Sequence, residues 1–267
     1  MSLRTFYEKH LNFSLRTYIE YFISPGIKCK FDIIKTQLPS SKTYPIALDL
    51  GCSGNSLLLF LNGVTQSCLL DIAEEPLKYY SQKYKLDYFA IVGKHDTNNL
   101  NPINGDIKYL PYRDKSVDLI CILDVLEHIR DDNKAIRELS RVLKKEGKII
   151  VTVPYNMNKY TPQDRLIGHF RRYGINKLVA LFEKSNLRIV NLFGVYGSLF
   201  KLTEIQAKFP EKTEENIIRL RKNYMQNLFF RFIWNVINHV LAFIMKLNVK
   251  LGKIRKMYNI GMILEKN

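Results

Sequence analysis

Pro45-Ile46-Ala47-Leu48-Asp49-Leu50-Gly51-Cys52-Ser53-Gly54-Asn55-Ser56 is the stretch on which the fold turns. Residues 46–50 are a short apolar run closed by glycine, the pattern of a parallel strand buried on both faces. Leu57-Leu58-Leu59-Phe60-Leu61 follows and predicts a helix laid on a sheet. A strand, a small-residue turn and a helix bring backbone N–H groups and a helix N-terminus close to a ligand. Taken alone, the motif reads equally well as an ordinary strand-turn-helix whose glycines serve turn geometry.

Working outward, residues 66–70 predict a second strand ending at Asp71. Asp71 follows Asp49 at about the twenty-residue spacing that sets an acid against ribose hydroxyls in nucleotide-binding α/β units. A carboxylate suits a cis-diol because it accepts two hydrogen bonds. Asp71 also reads as a helix N-cap, since Glu74-Glu75-Pro76 follow. Residues 75–88 predict a helix and 89–100 a loop around Asp96-Thr97-Asn98-Asn99. Leu119-Ile120-Cys121-Ile122-Leu123 is a fully apolar strand, residues 131–145 an amphipathic helix and 148–154 another strand. A helix over 175–185 and a strand over 187–195 come next. Upstream, apolar residues from Phe6 to Ile23 recur at mixed spacings and predict helix over 4–37, broken at Ser24-Pro25-Gly26. This alternation argues an α/β fold.

The ordered pieces resemble class I S-adenosylmethionine-dependent methyltransferases, above all the small-molecule branch that includes quinone-biosynthesis enzymes. The resemblance rests on Leu48-Asp49-Leu50-Gly51-Cys52, Asp71, Gly105-Asp106, Leu110-Pro111, Asp118-Leu119-Ile120, Asp124-Val125-Leu126-Glu127-His128-Ile129, Leu139-Ser140-Arg141-Val142-Leu143-Lys144 and Gly147-Lys148-Ile149-Ile150-Val151. It spans about residues 45–155 and departs in one place: the family carries Gly-x-Gly-x-Gly, whereas this chain reads Gly51-Cys52-Ser53-Gly54-Asn55.

The resemblance implies a doubly wound, seven-stranded, mostly parallel Rossmann-like sheet and S-adenosylmethionine as cofactor. It implies that Gly51, Cys52, Ser53 and Gly54 meet the methionine part, with Asp49 orienting their turn. Asp71 would accept from the ribose hydroxyls and Ile72 would lie on the adenine. Asp106 would accept from the adenine amino group beside Ile107, and Leu123 and Asp124 would face the sulfonium. A methyl sulfonium is already activated, so the protein's task is alignment of an acceptor, helped by a base where that acceptor is a hydroxyl. His128 and His169 are the candidate bases; Glu127-His128 also reads as a cap with a packed imidazole. Arg171, Arg172 and Tyr173, in His169-Phe170-Arg171-Arg172-Tyr173, are candidate acceptor contacts, or a segment leading into a helix whose arginines pair with acids.

A class I sheet needs a further antiparallel strand, and the good candidate is 259–266. The domains expected are then 1–44, an N-terminal helical segment; 45–197 with 257–267, the cofactor-binding domain; and 198–256, a helical insertion or cap. Within the insertion, residues 228–247 are apolar enough to raise a membrane span. However, Arg231, Asn235, Asn238, His239 and Lys246 fall in one sector of about 100°. A spanning helix would not keep that stripe unless paired. Two readings stay open: a helix buried as a lid over the acceptor, and a helix lying at an anionic membrane surface, flanked by Arg219, Arg221, Lys222, Lys250, Lys253, Arg255 and Lys256.

Composition bounds the rest. The chain has 267 residues, 46% of them hydrophobic, enough for one elaborated domain. Net charge is +16, which suits an anionic partner or a lysine-rich solvated surface. Cys29, Cys52, Cys68 and Cys121 lack C-x-x-C spacing and read as buried thiols, with neither a disulfide frame nor a metal. Residues 1–10 lack a signal-peptide apolar run, so a reducing cytoplasm is expected, with peripheral membrane contact as an addition. The acceptor expected is a small molecule or a lipid-linked one, methylated at oxygen. The charge also motivates RNA methylation, against which stands the lack of a stacking-plus-basic motif. The irregular glycine turn motivates a cofactor-binding partner without catalysis.

Overall fold

The computed structural model describes residues 16–39, 41–93, 99–161, 164–165, 167–203 and 210–267. The start of the expected 4–37 helical stretch, and the Asp96-Thr97-Asn98 part of the expected loop, lie outside the described residues. A short helix α1 (Glu20–Ile23) leads into α2 (Pro25–Lys35). Ser24 caps α2 by accepting from the Ile27 N–H, and Pro25 sits at its first position, where no backbone donor is missed. The chain continues through β1 (Tyr44–Leu50), β2 (Val64–Asp71), α3 (Glu74–Gln82), α4 (Tyr84–Val92), β3 (Asn99–Asn104), β4 (Val117–Leu123), α5 (Asp132–Val142), β5 (Leu143–Pro154), α6 (Ile175–Glu183), β6 (Leu187–Tyr196), α7 (Pro210–Gln226), α8 (Leu228–Leu251) and β7 (Asn259–Lys266).

The strands form one 7-stranded sheet in the order β3-β2-β1-β4-β5-β7-β6. The first five are parallel, and β7 runs antiparallel between β5 and β6. β1 sits inside the sheet, with Leu48 opposite Cys68 on one side and Ile120 on the other. Alternate residues of each strand feed two separate cores. Leu48, Leu50, Ile120, Ile122, Ile149 and Val151 pack on one face, and Ala47, Leu69, Leu119, Cys121 and Ile150 on the other. Burial on both faces explains why these strands read as unbroken apolar runs. All four cysteines are buried free thiols.

Three expectations are corrected. Residues 57–61 make only a 3-10 turn, Leu57–Phe60, because β2 starts at Val64 and leaves no length for a helix. The single helix expected over 75–88 is two, broken at Lys83, where the backbone leaves helical geometry so that Tyr84 can be fully buried. The loop expected over 89–100 holds the end of α4 and the start of β3. β3 is an edge strand, and an edge tolerates Pro102 and the asparagines that hid it.

The chain between β6 and β7 is helical where it is described, apart from short connections. α8 packs on α1 and α2 with its polar stripe turned inward, except for His239, which is exposed. Asn238 donates to the Tyr21 carbonyl, the Trp234 indole N–H to the Ile23 carbonyl, Lys246 pairs with Asp32 at 3.1 Å, and Arg231 donates to the carbonyls of Ala90, Tyr224 and Met225. The apolar side faces out: Phe229 is 73% exposed, Phe232 69% and Phe243 56%.

Candidate active site

The site is built at the carboxyl ends of β1, β2, β3 and β4, where the parallel strands stop and their loops diverge. Asp49, 2% exposed, ties down the far side of the turn: its Oδ2 accepts from the Ser56 hydroxyl at 2.5 Å and the Leu57 N–H at 3.0 Å. Burial pushes its pKa up to about 7 against those two bonds. Gly51 has φ +68°, and a Cβ there would lie 2.5 Å from Val125 Cγ2. Ser53 also takes the left-handed region, φ 49°, a conformation that glycine adopts at no steric cost. Gly54 is closed over by the N-terminal segment, with the Arg16 carbonyl 2.0 Å from where a Cβ would stand. Cys52 is buried, which raises its thiol pKa well above the usual range.

Asp71 accepts from the N–H groups of Ser53 and Ala73, both at 2.9 Å, so it joins the glycine turn to the end of β2. Burial raises its pKa in spite of these donors. Asp71 lies opposite Asn104 in the sheet, and its carbonyl accepts from the Gly105 N–H, so Asp106 follows on the neighbouring strand end. Asp106 accepts from the Lys108 N–H and lies 3.3 Å from the Lys108 ammonium. Ile107 is 8% exposed, whereas Ile72 stands 38% exposed beside these carboxylates. An apolar side chain left open between two acids fits a purine nucleoside.

Leu123 ends β4, and Asp124 departs from it with φ 57°. The Asp124 carboxylate accepts from Thr152 and Asn259 and pairs with Lys30 at 2.9 Å. Burial would raise its pKa, but the Lys30 ammonium and the hydrogen bonds outweigh that and hold it below the usual value. Lys30 was not legible as a site residue. Its one sequence signal is a lysine set between Cys29 and Phe31 on the buried side of α2.

The two histidines come together, ring centroids 4.6 Å apart and edge to face. Burial, then the neighbouring His169, lowers the His128 pKa to about 3, so its imidazole is neutral. His169 Nδ1 lies 2.7 Å from Asp164 Oδ1 and its Nε2 3.7 Å from Glu127 Oε1. Burial works to raise the Asp164 pKa, yet bonds from His169, Arg172 and the Thr161 N–H hold it near 2. Glu127 and Asp164 are two further acids that the sequence did not single out as site residues.

The expected acceptor contacts are turned elsewhere. Arg171 pairs with Asp132 at 2.6 Å and Arg172 with buried Asp164 at 2.9 Å, the acid-pairing alternative. Tyr173 is fully buried and its hydroxyl reaches Asp132 and the Leu126 carbonyl. Arg171 and Tyr173 hold the loop after β5 against the start of α5, and Arg172 is tied within that loop to Asp164. The reason is cost: a buried guanidinium or phenol needs a fixed partner, and the acids supply it.

Comparison with known proteins agrees with this geometry. Residues 48–151 match a family described as a methyltransferase domain. A protein of Methanocaldococcus jannaschii, itself uncharacterised, is 27% identical over 86% of this chain and 98% of its own length. The ubiquinone/menaquinone biosynthesis C-methyltransferase UbiE of Shewanella sediminis is 34% identical, but over only 32% of either chain. Among solved structures, the methyltransferase of a Haloferax volcanii complex with the Trm112 methyltransferase activator superposes with a TM-score of 0.60 at 16% identity, covering 99% of this chain and 97% of its own. That likeness is one of fold.

Proposed function

Since the chain is a class I S-adenosylmethionine-dependent methyltransferase, we propose that it methylates a hydroxyl of a lipid-linked acceptor while lying on an anionic membrane surface. The observation that carries this reading is the inverted α8: Asn238 and Lys246 are spent on α1 and α2, Arg231 and Asn235 on α4 and α7, while Leu228, Phe229, Phe232, Val236, Val240 and Phe243 face outward. A contiguous apolar face of that kind marks an interaction surface. Exposed Lys250, Lys253, Arg255 and Lys256 follow it, and each basic residue near an anionic surface adds about 1 kcal/mol. A net charge of +16 opposes pairing with a second copy and favours a negatively charged surface.

In this reading Asp71 and Asp106 hold the nucleoside, Ile72 covers the adenine, and the turn at residues 51–54 meets the methionine part. S-adenosylmethionine supplies the methyl group on its sulfonium. Asp124, kept ionised by Lys30, favours the positive charge of the donor before transfer. His169, oriented by Asp164, accepts the proton that the acceptor hydroxyl loses, while His128, its pKa lowered to about 3, packs against it as a neutral ring.

Flotation with phosphatidylcholine vesicles, with and without an anionic lipid, tests the surface. The protein should rise with the anionic vesicles alone, and Phe229→Ser/Phe232→Ser/Phe243→Ser should stay at the bottom. A wild-type protein that binds S-adenosylmethionine yet ignores anionic vesicles would overturn the reading. It would leave the outward face of α8 to a protein partner, as the activator-bound Haloferax enzyme suggests. Radiolabelled methyl transfer to a cell extract, partitioned into lipid, RNA and aqueous fractions, tests the acceptor class.

A further inference from the structure

Three donors gather beyond the ends of β4 and β5, and methyl transfer from S-adenosylmethionine does not by itself call for the set. Glu127, His128 and His169 each offer one ligand atom, and these atoms all lie within 4.8 Å of one another. Glu127 is fully buried, and among the described residues neither of its carboxylate oxygens has a hydrogen-bond partner. A carboxylate left that way loses its water and gains nothing in return, a cost of several kcal/mol unless a donor or a cation meets it. The neighbour it faces is His169 Nε2, at 3.7 Å. That nitrogen is aimed by the other side of its ring, where Nδ1 is fixed on Asp164 at 2.7 Å. Asp164 in turn is locked by Arg172 and the Thr161 N–H.

We propose that Glu127, His128 and His169 bind one divalent first-row transition-metal ion, zinc or a neighbour of it. Two imidazoles and one carboxylate are the donor set such ions take when positions are left for water or substrate. The Asp164–His169 pair is the outer carboxylate that presents a ligating imidazole and fixes its tautomer. An all-oxygen set would suit magnesium or calcium; the nitrogens here do not. The chemical role rests on the reading that the acceptor is a hydroxyl. With the ion bound, the two imidazoles are ligands and no longer the base: the ion acidifies the acceptor hydroxyl as a Lewis acid, and the hydroxyl proton leaves to solvent instead of passing to His169. The oxygen pair then forms the O–CH3 bond while the S–CH3 bond breaks toward sulfur, giving S-adenosylhomocysteine.

The test uses the full chain without an affinity tag, stripped with chelator and titrated with Co(II) in visible spectroscopy and with Zn(II) in calorimetry. One equivalent of each should bind, with cobalt absorption saturating at that ratio. Glu127→Gln and His169→Gln should each weaken binding at least tenfold while S-adenosylmethionine affinity, measured on the same samples, stays as in the wild type. The proposal is overturned if the wild type binds S-adenosylmethionine but takes up no stoichiometric metal. It is equally overturned if either variant, still binding S-adenosylmethionine, holds metal as tightly as the wild type. Loss of S-adenosylmethionine binding by the wild type is a separate result, and it would sink the methyl-donor site instead.

Discussion

Asp49 sits folded with a pKa near 7, far above the usual carboxylate value, because burial outweighs the donors on its Oδ2. Between about pH 4 and 7 the folded chain therefore keeps a proton that the unfolded chain has released. Stability falls through that window by on the order of 1.4 kcal/mol per pH unit and levels above it. Asp49→Asn keeps an oxygen for Ser56 and Leu57 and removes the titration. Urea unfolding from pH 4 to 8 should show the variant gaining on the wild type as pH rises. A wild type whose stability relative to the variant is flat across the range would contradict this account. Asp164 behaves in the opposite sense: its pKa is held near 2, and it is the partner of the buried Arg172 guanidinium. Asp164→Asn should destabilise by roughly 3 kcal/mol in urea unfolding, since it strands a buried guanidinium. Asp71→Ala should raise the dissociation constant for S-adenosylmethionine about tenfold or more in calorimetry, the worth of a charged hydrogen bond to ribose.

Elements are legible in a sequence when their apolar period matches their burial, and α8 shows what happens when it does not. The polar stripe of Arg231, Asn235, Asn238, His239 and Lys246 could be placed on one side of the helix from spacing alone, although His239 stands exposed. Spacing could not say which side is buried, because that depends on the acceptors α1 and α2 offer, such as the Tyr21 and Ile23 carbonyls and the Asp32 carboxylate. β4 and the buried half of β5 were readable as apolar runs, whereas β3, with Pro102 and three asparagines, was hidden by its edge position. Spacing and resemblance were enough to place Asp71 and Asp106 at neighbouring strand ends, where the structure has them. Lys30 and Asp164 were not legible, because their partners are 94 residues and 8 residues away across loops. The inverted helix makes a prediction contrary to the usual rule. Asn238→Ala, at a site 1% exposed, should cost about 1–2 kcal/mol, and Phe232→Ser should change stability by less than about 0.5 kcal/mol. Thermal unfolding of the two variants in the absence of lipid decides it; the reverse order would mean that the outward face is covered in solution.

At the scale of the molecule, the outward face and the catalytic rim are mechanically joined. The insertion that carries α8 leaves the sheet at β6 and returns at β7, and β7 pairs with both β5 and β6. α8 rests on α2 through Lys246 and Asp32, and α2 sends Lys30 to Asp124 at the end of β4. α2 thus touches both the inward side of α8, whose other side would meet lipid, and the acid that would meet the methyl donor. Two equilibria should then respond differently to salt. Vesicle binding draws on exposed basic residues around α8 and a net charge of +16, so raising sodium chloride from about 50 to 500 mM, where screening shortens to a few ångströms, should release the protein from anionic vesicles. If S-adenosylmethionine binds as proposed, beside the buried Lys30–Asp124 pair and on backbone donors that screening scarcely reaches, its dissociation constant should move less than about threefold over the same range. Flotation and calorimetry on one preparation measure both. If the two fall together with salt, the donor site depends on the open surface charges, and the separation of the rim from the lipid-facing side is wrong.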